Sequence, residues 1–364
     1  MTVSVKPFSR IFSKNICKVF YATLAVLFIS CERSNAYIDI VGPAMGTSYT
    51  IRLAPKRGSN LNANLIKSKI DSTLESINDQ MSTYVINSDI SLFNKIGKNA
   101  AVVITNDFKS VILRSIYWSK KSNGAFDITS LPLTSTWKSG KKDREYKEKW
   151  EPPSDLDIIV AKDKVGFNEI KLSQNSLIKA YKGQQIDVNA IAKGWGVDHL
   201  FSLVESFGYT NFMVEIGGEV RVSGKNIQNK PWQIGIDYPL TNTVPGEKII
   251  GVVSLVNRSM ATSGNYRNFY EFDSKKYSHI LDPRTGYPID SNIASVTVVA
   301  PLCMDADAIA TALSVMSLES GKVMVEENEG IEAFWVLSDN EKFSGPIGVN
   351  QSTTKPVDDL TVLD

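Results

Sequence analysis

Hydrophobic spacing divides the chain into helical and extended segments. Apolar residues recur three and four positions apart in residues 62–81, 107–121 and 191–207. This spacing is typical of helices that bury one face. The sequence predicts a fourth clear helix that opens at Asp305 or Ala306 and runs to about Leu318.

Segments rich in valine, isoleucine and aromatic residues lie between these helices, a composition that favours strands. The predicted strands are 36–53 (interrupted at Gly42 and Pro43), 158–160, 177–181, 212–216, 220–222, 232–237, 251–255, 295–300 and 333–337. Helices and strands are interspersed without the strict alternation of a doubly wound sheet. We therefore predict an α+β fold of mixed sheets with packed helices. The charged stretch 138–153 is predicted to be a surface loop.

The N-terminal segment differs from the rest of the chain. A basic stretch precedes an apolar run at 19–29, which ends in Ser30 and Cys31. The run is shorter than the roughly 20 apolar residues of a membrane-spanning helix and is typical of a secretory signal. We predict a signal peptide at 1–30 and one functional domain at 31–364. Cys31 resembles the lipidated cysteine of a bacterial lipobox, although a plain cleaved signal or an uncleaved anchor would also fit.

Composition excludes several classes of protein. A hydrophobic content of 43% and a charged content of 22% are ordinary for a soluble domain. The net charge of +1 provides no basic excess for nucleic acid, so we expect no nucleic-acid partner. The three cysteines and two histidines are not clustered as zinc ligands are. Loss of the signal would leave Cys303 without an internal partner for a disulfide.

The last predicted helix carries a candidate metal site. Asp307 and Thr311 are four residues apart, so on a helix their side chains share one face. A carboxylate and a hydroxyl are hard oxygen ligands, which suit Mg²⁺. The alternative is that Asp305 and Asp307 only stabilise a helix N-terminus.

A second constellation lies at 186–198. Here a strand enters a helix at Asp187, with Lys193 and Gly194 near the start of the helix. Backbone N–H groups at such a turn, together with one cation, can hold a phosphate. A simple capped helix fits the same residues equally well.

The remaining candidates for catalysis and for ligand binding lie in polar turns and beside aromatic residues. His279 lies in a segment dense in hydrogen-bonding groups and is either a catalytic or a structural histidine. His199, within a predicted helix, is interpreted as structural. Tyr84 and the segment 125–127 combine aromatic and small polar residues, which suits a planar ring hydrogen-bonded at its edge. Each of these aromatic residues could instead belong to the core.

Taken in chain order, these motifs resemble one family, the FAD:protein FMN transferases, or ApbE family. The resemblance extends from Met45 to the helix that carries Thr311, and its segments are 45–47, 81–84, 124–127, 187–194, 261–266, 278–286 and 306–311. It implies an ApbE-like flavin transferase fold. It also implies magnesium-dependent transfer of FMN from FAD, which is the substrate, to a threonine or serine hydroxyl of an acceptor protein, with release of AMP.

The resemblance also implies roles for single residues. Magnesium would be held by the backbone carbonyl of Ala190 and by the side chains of Asp307 and Thr311. The implied FAD contacts are Met45, Tyr84, Ala125, Phe126, Asp127, Asp187, Lys193 and Ile280. His279 is our candidate for the base that takes the proton of the acceptor hydroxyl. The chain departs from the family pattern at Ile128, Ser130, Leu131, Glu215, Glu219 and Ala310.

Two alternatives use the same motifs. One is a flavin-binding lipoprotein that stores FAD, and the other is an enzyme that hydrolyses FAD to FMN and AMP with water as the nucleophile. For a transferase, the resemblance suggests an acceptor subunit of a membrane redox complex. It also suggests a location in the bacterial cell envelope, on the periplasmic side of the inner membrane, with a lipid anchor on Cys31.

Overall fold

The centre of the fold is a nine-stranded sheet in which every strand pairing is antiparallel. The computed structural model describes residues 36–54, 62–140, 150–240, 244, 246–265, 269–339 and 342–350. The predicted signal peptide at 1–30 and the predicted anchor Cys31 lie outside these residues and stay predictions. Within the described ranges, no helix is both long and apolar enough to cross a membrane.

Eight α-helices lie in the described part of the chain. They are α1 (Ala63–Met81), α2 (Asp89–Lys95), α3 (Asn106–Lys121), α4 (Leu131–Ser139), α5 (Asp155–Lys162), α6 (Asn189–Ser206), α7 (Cys303–Val315) and α8 (Leu318–Glu326). Side-chain oxygens of the preceding residues cap five of them, because Ser, Thr and Asn accept the otherwise unpaired first N–H groups. These caps are Asn62, Ser88, Thr105, Ser154 and Ser317.

Sixteen strands lie among the described residues, nine of them in the central sheet. They are β1 (Ile38–Ala44), β2 (Thr47–Leu53), β3 (Ala101–Val103), β4 (Lys171–Ser173), β5 (Ser176–Ile178), β6 (Phe212–Ile216), β7 (Glu219–Ser223), β8 (Trp232–Asp237), β9 (Ile249–Leu255), β10 (Ser259–Gly264), β11 (Phe269–Phe272), β12 (Lys275–Ser278), β13 (Ile293–Ala300), β14 (Glu332–Asp339), β15 (Lys342–Phe343) and β16 (Ile347–Val349). The central sheet has the order β1-β2-β6-β7-β10-β13-β14-β15, and β16 also pairs with β14.

Both faces of this sheet are covered. On one face Val296 and Val298 belong to a core shared with α3, α7 and the end of α1. On the other face Val299 packs with residues of the β8–β9 hairpin, such as Trp232 and Val253. All eight residues of β13 are therefore buried, which explains why its sequence is apolar apart from Ser295 and Thr297. The α+β prediction is confirmed, with a helix layer, a sheet and a hairpin layer.

Three element predictions were wrong. Residues 158–160 belong to helix α5, because Ser154 caps it and Ile158 faces the core, while Ile159 and Val160 remain about half exposed. The last predicted helix already begins at Cys303 and ends at Val315. The short helices α2, α4 and α8 were not predicted.

The extended segment 36–53 is a hairpin whose turn is at Met45 and Gly46, both with positive φ. Gly42 and Pro43, where the interruption was predicted, lie within β1.

Helices α6 and α7 cross at a close backbone contact. A Cβ atom added to Gly194 of α6 would lie 2.6 Å from the carbonyl carbon of Cys303 and 2.7 Å from the Cα of Met304. Real Cβ atoms do not approach backbone this closely, so only glycine permits the crossing. The first turn of α7 is thereby held against the first turns of α6.

We expect Gly194→Ala to destabilise the protein by about 2–4 kcal/mol, because the added methyl group would force the two backbones apart. Urea unfolding would measure this loss. Gly97→Ala is the matched control, since a Cβ there meets nothing within 4 Å, and its effect should stay within about 0.5 kcal/mol. Equal stability of the two variants would contradict the role given to the crossing.

Candidate active site

A cavity of about 510 Å³ opens beside the crossing of α6 and α7. It brings together most of the residues singled out in the sequence, although they are far apart in the chain. The predicted site residues that line it are Ala125, Phe126, Asp127, Asp187, Ala190, Lys193, His279, Ile280, Asp307 and Thr311. The volume is in the range of cavities that hold cofactors or nucleotides.

Two predicted FAD contacts do not line this cavity. Met45 sits in the β1–β2 turn and packs towards α6, where its sulfur is 3.1 Å from the position that a Cβ of Gly196 would take. Tyr84 lies in the loop after α1 and is 81% exposed. Their predicted contact with FAD stays a prediction.

The metal-binding candidates meet at a kink in α6. Ala190 has φ −85° and ψ 15°, which is outside the helical range. In a regular helix the N–H of Gly194 would donate to the carbonyl of Ala190. Here it donates to Asp307 Oδ2 at 3.0 Å. Ala190, Asp307 and Thr311 all line the cavity, with Thr311 one turn further along α7 than Asp307.

Lys193 lies on the same side of the cavity and forms an ion pair with Glu219 Oε1. Glu219 opens β7 and is only 4% exposed, and its Oε2 atom has no hydrogen-bond partner among the described residues. Burial and the nearby charge of Asp307 raise the pKa of Glu219 to about 8. Burial also raises the pKa of Asp307. Two buried carboxylates thus share one ammonium group, and the site lacks a second positive charge whenever both carboxylates are ionised.

Glu219 is a functional candidate that sequence reasoning missed. It was seen only as a departure from the family pattern beside a glycine turn. The sequence did contain a pattern that could have identified Glu219. Glu219 and Arg221 alternate with the buried Val220 and Val222 in one strand. Charged residues at alternate positions of a strand share one face. That face is directed to the helices, where Arg221 donates to Asp198 Oδ1 at 2.6 Å.

Asp198 fixes the start of α7 from the neighbouring helix. Its two carboxylate oxygens accept the N–H groups of Cys303 and Met304, each at 3.0 Å. Leu302, which precedes α7, has no side chain that could cap it. The cap thus comes from α6 and ties the two helices at the point where they carry site residues.

Asp305 has a structural role that differs from that of Asp307. Arg114 of α3 donates to both of its oxygens, at 2.5 and 2.6 Å, and Trp118 Nε1 donates at 2.7 Å. Asp305 does not line the cavity. The two aspartates therefore point to different neighbours. Their spacing in the sequence alone could not show which of them lies in the site.

Two further aspartates, Asp127 and Asp187, also line the cavity and accept hydrogen bonds from the backbone. Asp127 accepts from the backbone N–H and the hydroxyl of Thr129 at 2.7 and 2.6 Å, and from the N–H of Phe167 at 3.2 Å. Asp187 accepts from the N–H of Asn189 at 2.9 Å. Its own N–H donates to the carbonyl of Ile128 at 2.7 Å. Burial raises the pKa of both aspartates.

His279 lies on the rim of the cavity and is exposed. It directly follows Ser278, whose hydroxyl accepts the N–H of Ile280 at 2.9 Å and fixes this turn. The other histidine, His199, lies outside the cavity, with Nε2 3.8 Å from a carboxylate oxygen of Asp107. Only His279 is placed to act on a group bound in the cavity.

The donor set restricts the cation that this site could hold. The described residues contain no group of three or more His, Cys, Asp or Glu side chains arranged for a metal. Asp307, Thr311 and the Ala190 carbonyl together offer only hard oxygen atoms. This set fits Mg²⁺, which uses few protein ligands and completes its shell with water and phosphate oxygens.

Comparison with known proteins agrees with this arrangement. The family model described as the ApbE family matches residues 45–335. The chain is 34% identical to the FAD:protein FMN transferase of Haemophilus influenzae, over 90% of this chain and 94% of that protein. It is 35% identical to that of Vibrio cholerae, over 84% and 89%.

Solved structures give the same result. The flavin transferase ApbE from Vibrio cholerae has a TM-score of 0.75 and 32% identity, over 86% of this chain and 97% of that one. The apo flavinyl transferase ApbE from Pseudomonas stutzeri has the same TM-score and 30% identity, over 86% and 95%. The family match covers most of the chain, and its residues include the cavity built on α6 and α7. The chain belongs to the ApbE family.

Proposed function

We propose that this protein transfers FMN from FAD to a serine or threonine hydroxyl of an acceptor protein, with Mg²⁺ as the metal and AMP as the leaving group. One observation carries the proposal. The hard oxygen donors of Asp307, Thr311 and Ala190 share one cavity with the Lys193 ammonium and the His279 imidazole. These are the groups that phosphoryl transfer from a dinucleotide requires.

The metal requirement follows from the charge in the cavity. Asp307 and Glu219 are both buried, and Lys193 balances only one of them. A divalent cation on Asp307, Thr311 and the Ala190 carbonyl would offset this excess of negative charge. When bound, it would supply Lewis-acid stabilisation of phosphate oxygens and orient the diphosphate.

In the proposed reaction the acceptor hydroxyl oxygen attacks the phosphorus on the FMN side of the diphosphate. The bond from that phosphorus to the AMP oxygen breaks, and AMP leaves in line with the attack. His279 takes the proton of the hydroxyl, since an imidazole is a suitable base near neutral pH. Lys193 stabilises negative charge on the phosphoryl oxygens. Apolar residues of the lining, such as Phe126 and Ile280, offer an apolar surface for the flavin ring.

The acceptor and the location of the protein are also part of the proposal. The basic segment, the apolar run 19–29 and Cys31 support an exported, lipid-anchored protein on the periplasmic side of the inner membrane. A protein held there would meet acceptor subunits of membrane redox complexes.

A transfer assay tests the proposed function. Membranes from a strain that lacks the gene would supply unmodified acceptor, and the purified protein would be added with FAD and Mg²⁺. Transfer predicts a fluorescent protein band in a denaturing gel, together with AMP. Release of FMN and AMP without a band would indicate FAD hydrolysis. Binding of FAD without either product would indicate a storage protein.

We expect His279→Ala to keep FAD affinity and to lower transfer by about 10²–10⁴-fold, because the variant lacks the proposed base. His199→Ala is the matched control, since it removes the other histidine without touching the cavity. Fluorescent band formation measures transfer, and quenching of flavin fluorescence measures binding. Unchanged transfer by His279→Ala would exclude the assignment.

Stability should depend on pH through Glu219. Its pKa in the folded protein is raised from 4.5 to about 8, so the folded state holds a proton that the unfolded state releases earlier. The stability that this proton confers is present below pH 4.5 and is lost as the pH rises through about 8. Without metal, Glu219→Gln should lose less stability than the parent over this range.

Magnesium should act in the opposite direction, because the cation competes with that proton. The Mg²⁺-induced rise in Tm of the parent should therefore increase over the same pH range, and in Glu219→Gln it should increase less. Thermal unfolding with Mg²⁺ or with EDTA would measure both effects. Parallel pH profiles for parent and variant would refute the role of Glu219.

A further inference from the structure

A second cavity, of about 540 Å³, adjoins the site. In two segments of the chain, one residue lines the site cavity and its direct neighbour lines the second cavity. Gly264 lines the site cavity and Asn265 lines the second one, and His279 lines the site cavity while Ser278 lines the second one. The second cavity, here named the rim groove, therefore begins beside the proposed base.

One wall of the rim groove is the β11–β12 hairpin. Side chains alternate between the two faces of a hairpin. Phe269, Lys276 and Ser278 line the groove. Tyr270 and Tyr277, on the opposite face, pack on Trp150 with ring centroids 4.8 and 5.6 Å apart.

The hairpin is thus anchored on its far side. Trp137 of α4 extends the same aromatic cluster, with its ring centroid 5.9 Å from that of Tyr277. The groove side of the hairpin is left to face solvent or a partner.

The opposite wall is the loop that leads into β13. Its residues Asp290, Ser291 and Asn292 are exposed, and Ile293 and Ala294 form a buried floor. Two backbone hydrogen bonds connect this loop to the site, from Ile289 N to the Ile280 carbonyl at 3.0 Å and from Asn265 N to the Ala294 carbonyl at 2.9 Å. Six of the fourteen residues that line the groove are short and polar, which leaves room for another backbone along this side; they are Asn265, Ser278, Asp290, Ser291, Asn292 and Ser338.

The geometry of the reaction determines what could fill the groove. A serine or threonine hydroxyl is only two bonds from its Cα, so it reaches the phosphorus only if the acceptor backbone comes close to His279. A flat protein surface cannot enter a cavity in this way, whereas an extended segment can. FAD needs the first cavity for its diphosphate, because Lys193 and Asp307 lie there. The rim groove is the adjoining space.

We propose that the rim groove binds an extended segment of the acceptor protein next to its modified hydroxyl residue, and so selects the acceptor. This inference rests on the proposed transferase function. It assigns acceptor recognition to residues that do not touch FAD, so substitutions in the groove should separate acceptor use from flavin binding.

The experiment fills the groove in two independent ways. Ser291→Trp places a large ring in the loop wall, and Lys276→Trp places one on the groove face of the hairpin. Lys275→Trp is the matched control for the hairpin, since Lys275 lies on the opposite face, where its Nζ is 5.2 Å from the Tyr277 ring centroid. Ser72→Trp, at an exposed position of α1, is the control for the loop.

All variants would be assayed as full chains with FAD, Mg²⁺ and membranes from the strain that lacks the gene. For both groove variants we expect transfer at limiting acceptor to fall at least about tenfold, because a filled groove excludes the acceptor backbone. Flavin fluorescence quenching should show unchanged FAD affinity. Both control variants should transfer at the parent rate.

The outcomes separate the groove from the proposed function. Failure of the parent protein to form any fluorescent band would refute the transferase proposal itself. Parent activity combined with normal transfer by both folded groove variants would overturn the groove proposal. Weaker FAD binding by these variants would also overturn it, because the groove would then belong to the flavin site.

Discussion

The contact of α6 with α7 at Gly194 is the constraint on which the site depends. The missing side chain lets the helices approach until the Gly194 N–H can donate to Asp307. This donation ties α6 to the Asp307 carboxylate of α7 close to the kink at Ala190. Asp198 secures the same contact by capping α7 from α6. One packing feature thus supplies both the position and the ligands of the proposed metal site.

The second feature is a buried charge that the protein does not balance by itself. Asp307 and Glu219 are almost inaccessible, and the unpaired Glu219 Oε2 is costly in a folded core. Proteins keep such costly groups mainly where function requires them. A cation and the phosphates of a bound dinucleotide would replace the missing partners. Lys193, held by Glu219, would then lie beside those phosphates instead of pointing freely into solvent.

Sequence reasoning could predict what depends on local patterns. Amphipathic spacing is set within a few residues of the chain, so the four longest helices were predicted, whereas the four short helices of seven to nine residues were not. It could not rank Asp305 against Asp307, because the choice depends on Arg114, which is distant in sequence. It also assigned residues 158–160 to a strand, since their β-branched side chains resemble a buried strand. Glu219 was missed because its partner Lys193 is reached only through the sheet topology.

The central claim is that the α6–α7 crossing forms a cation site on Asp307, Thr311 and the Ala190 carbonyl. The most direct test is an anomalous difference map from crystals grown with FAD and Mn²⁺, which substitutes for Mg²⁺ at oxygen sites. We predict one strong peak about 2.0–2.2 Å from these three oxygen atoms. A peak elsewhere in the cavity, or no peak although FAD is bound, would contradict the claim.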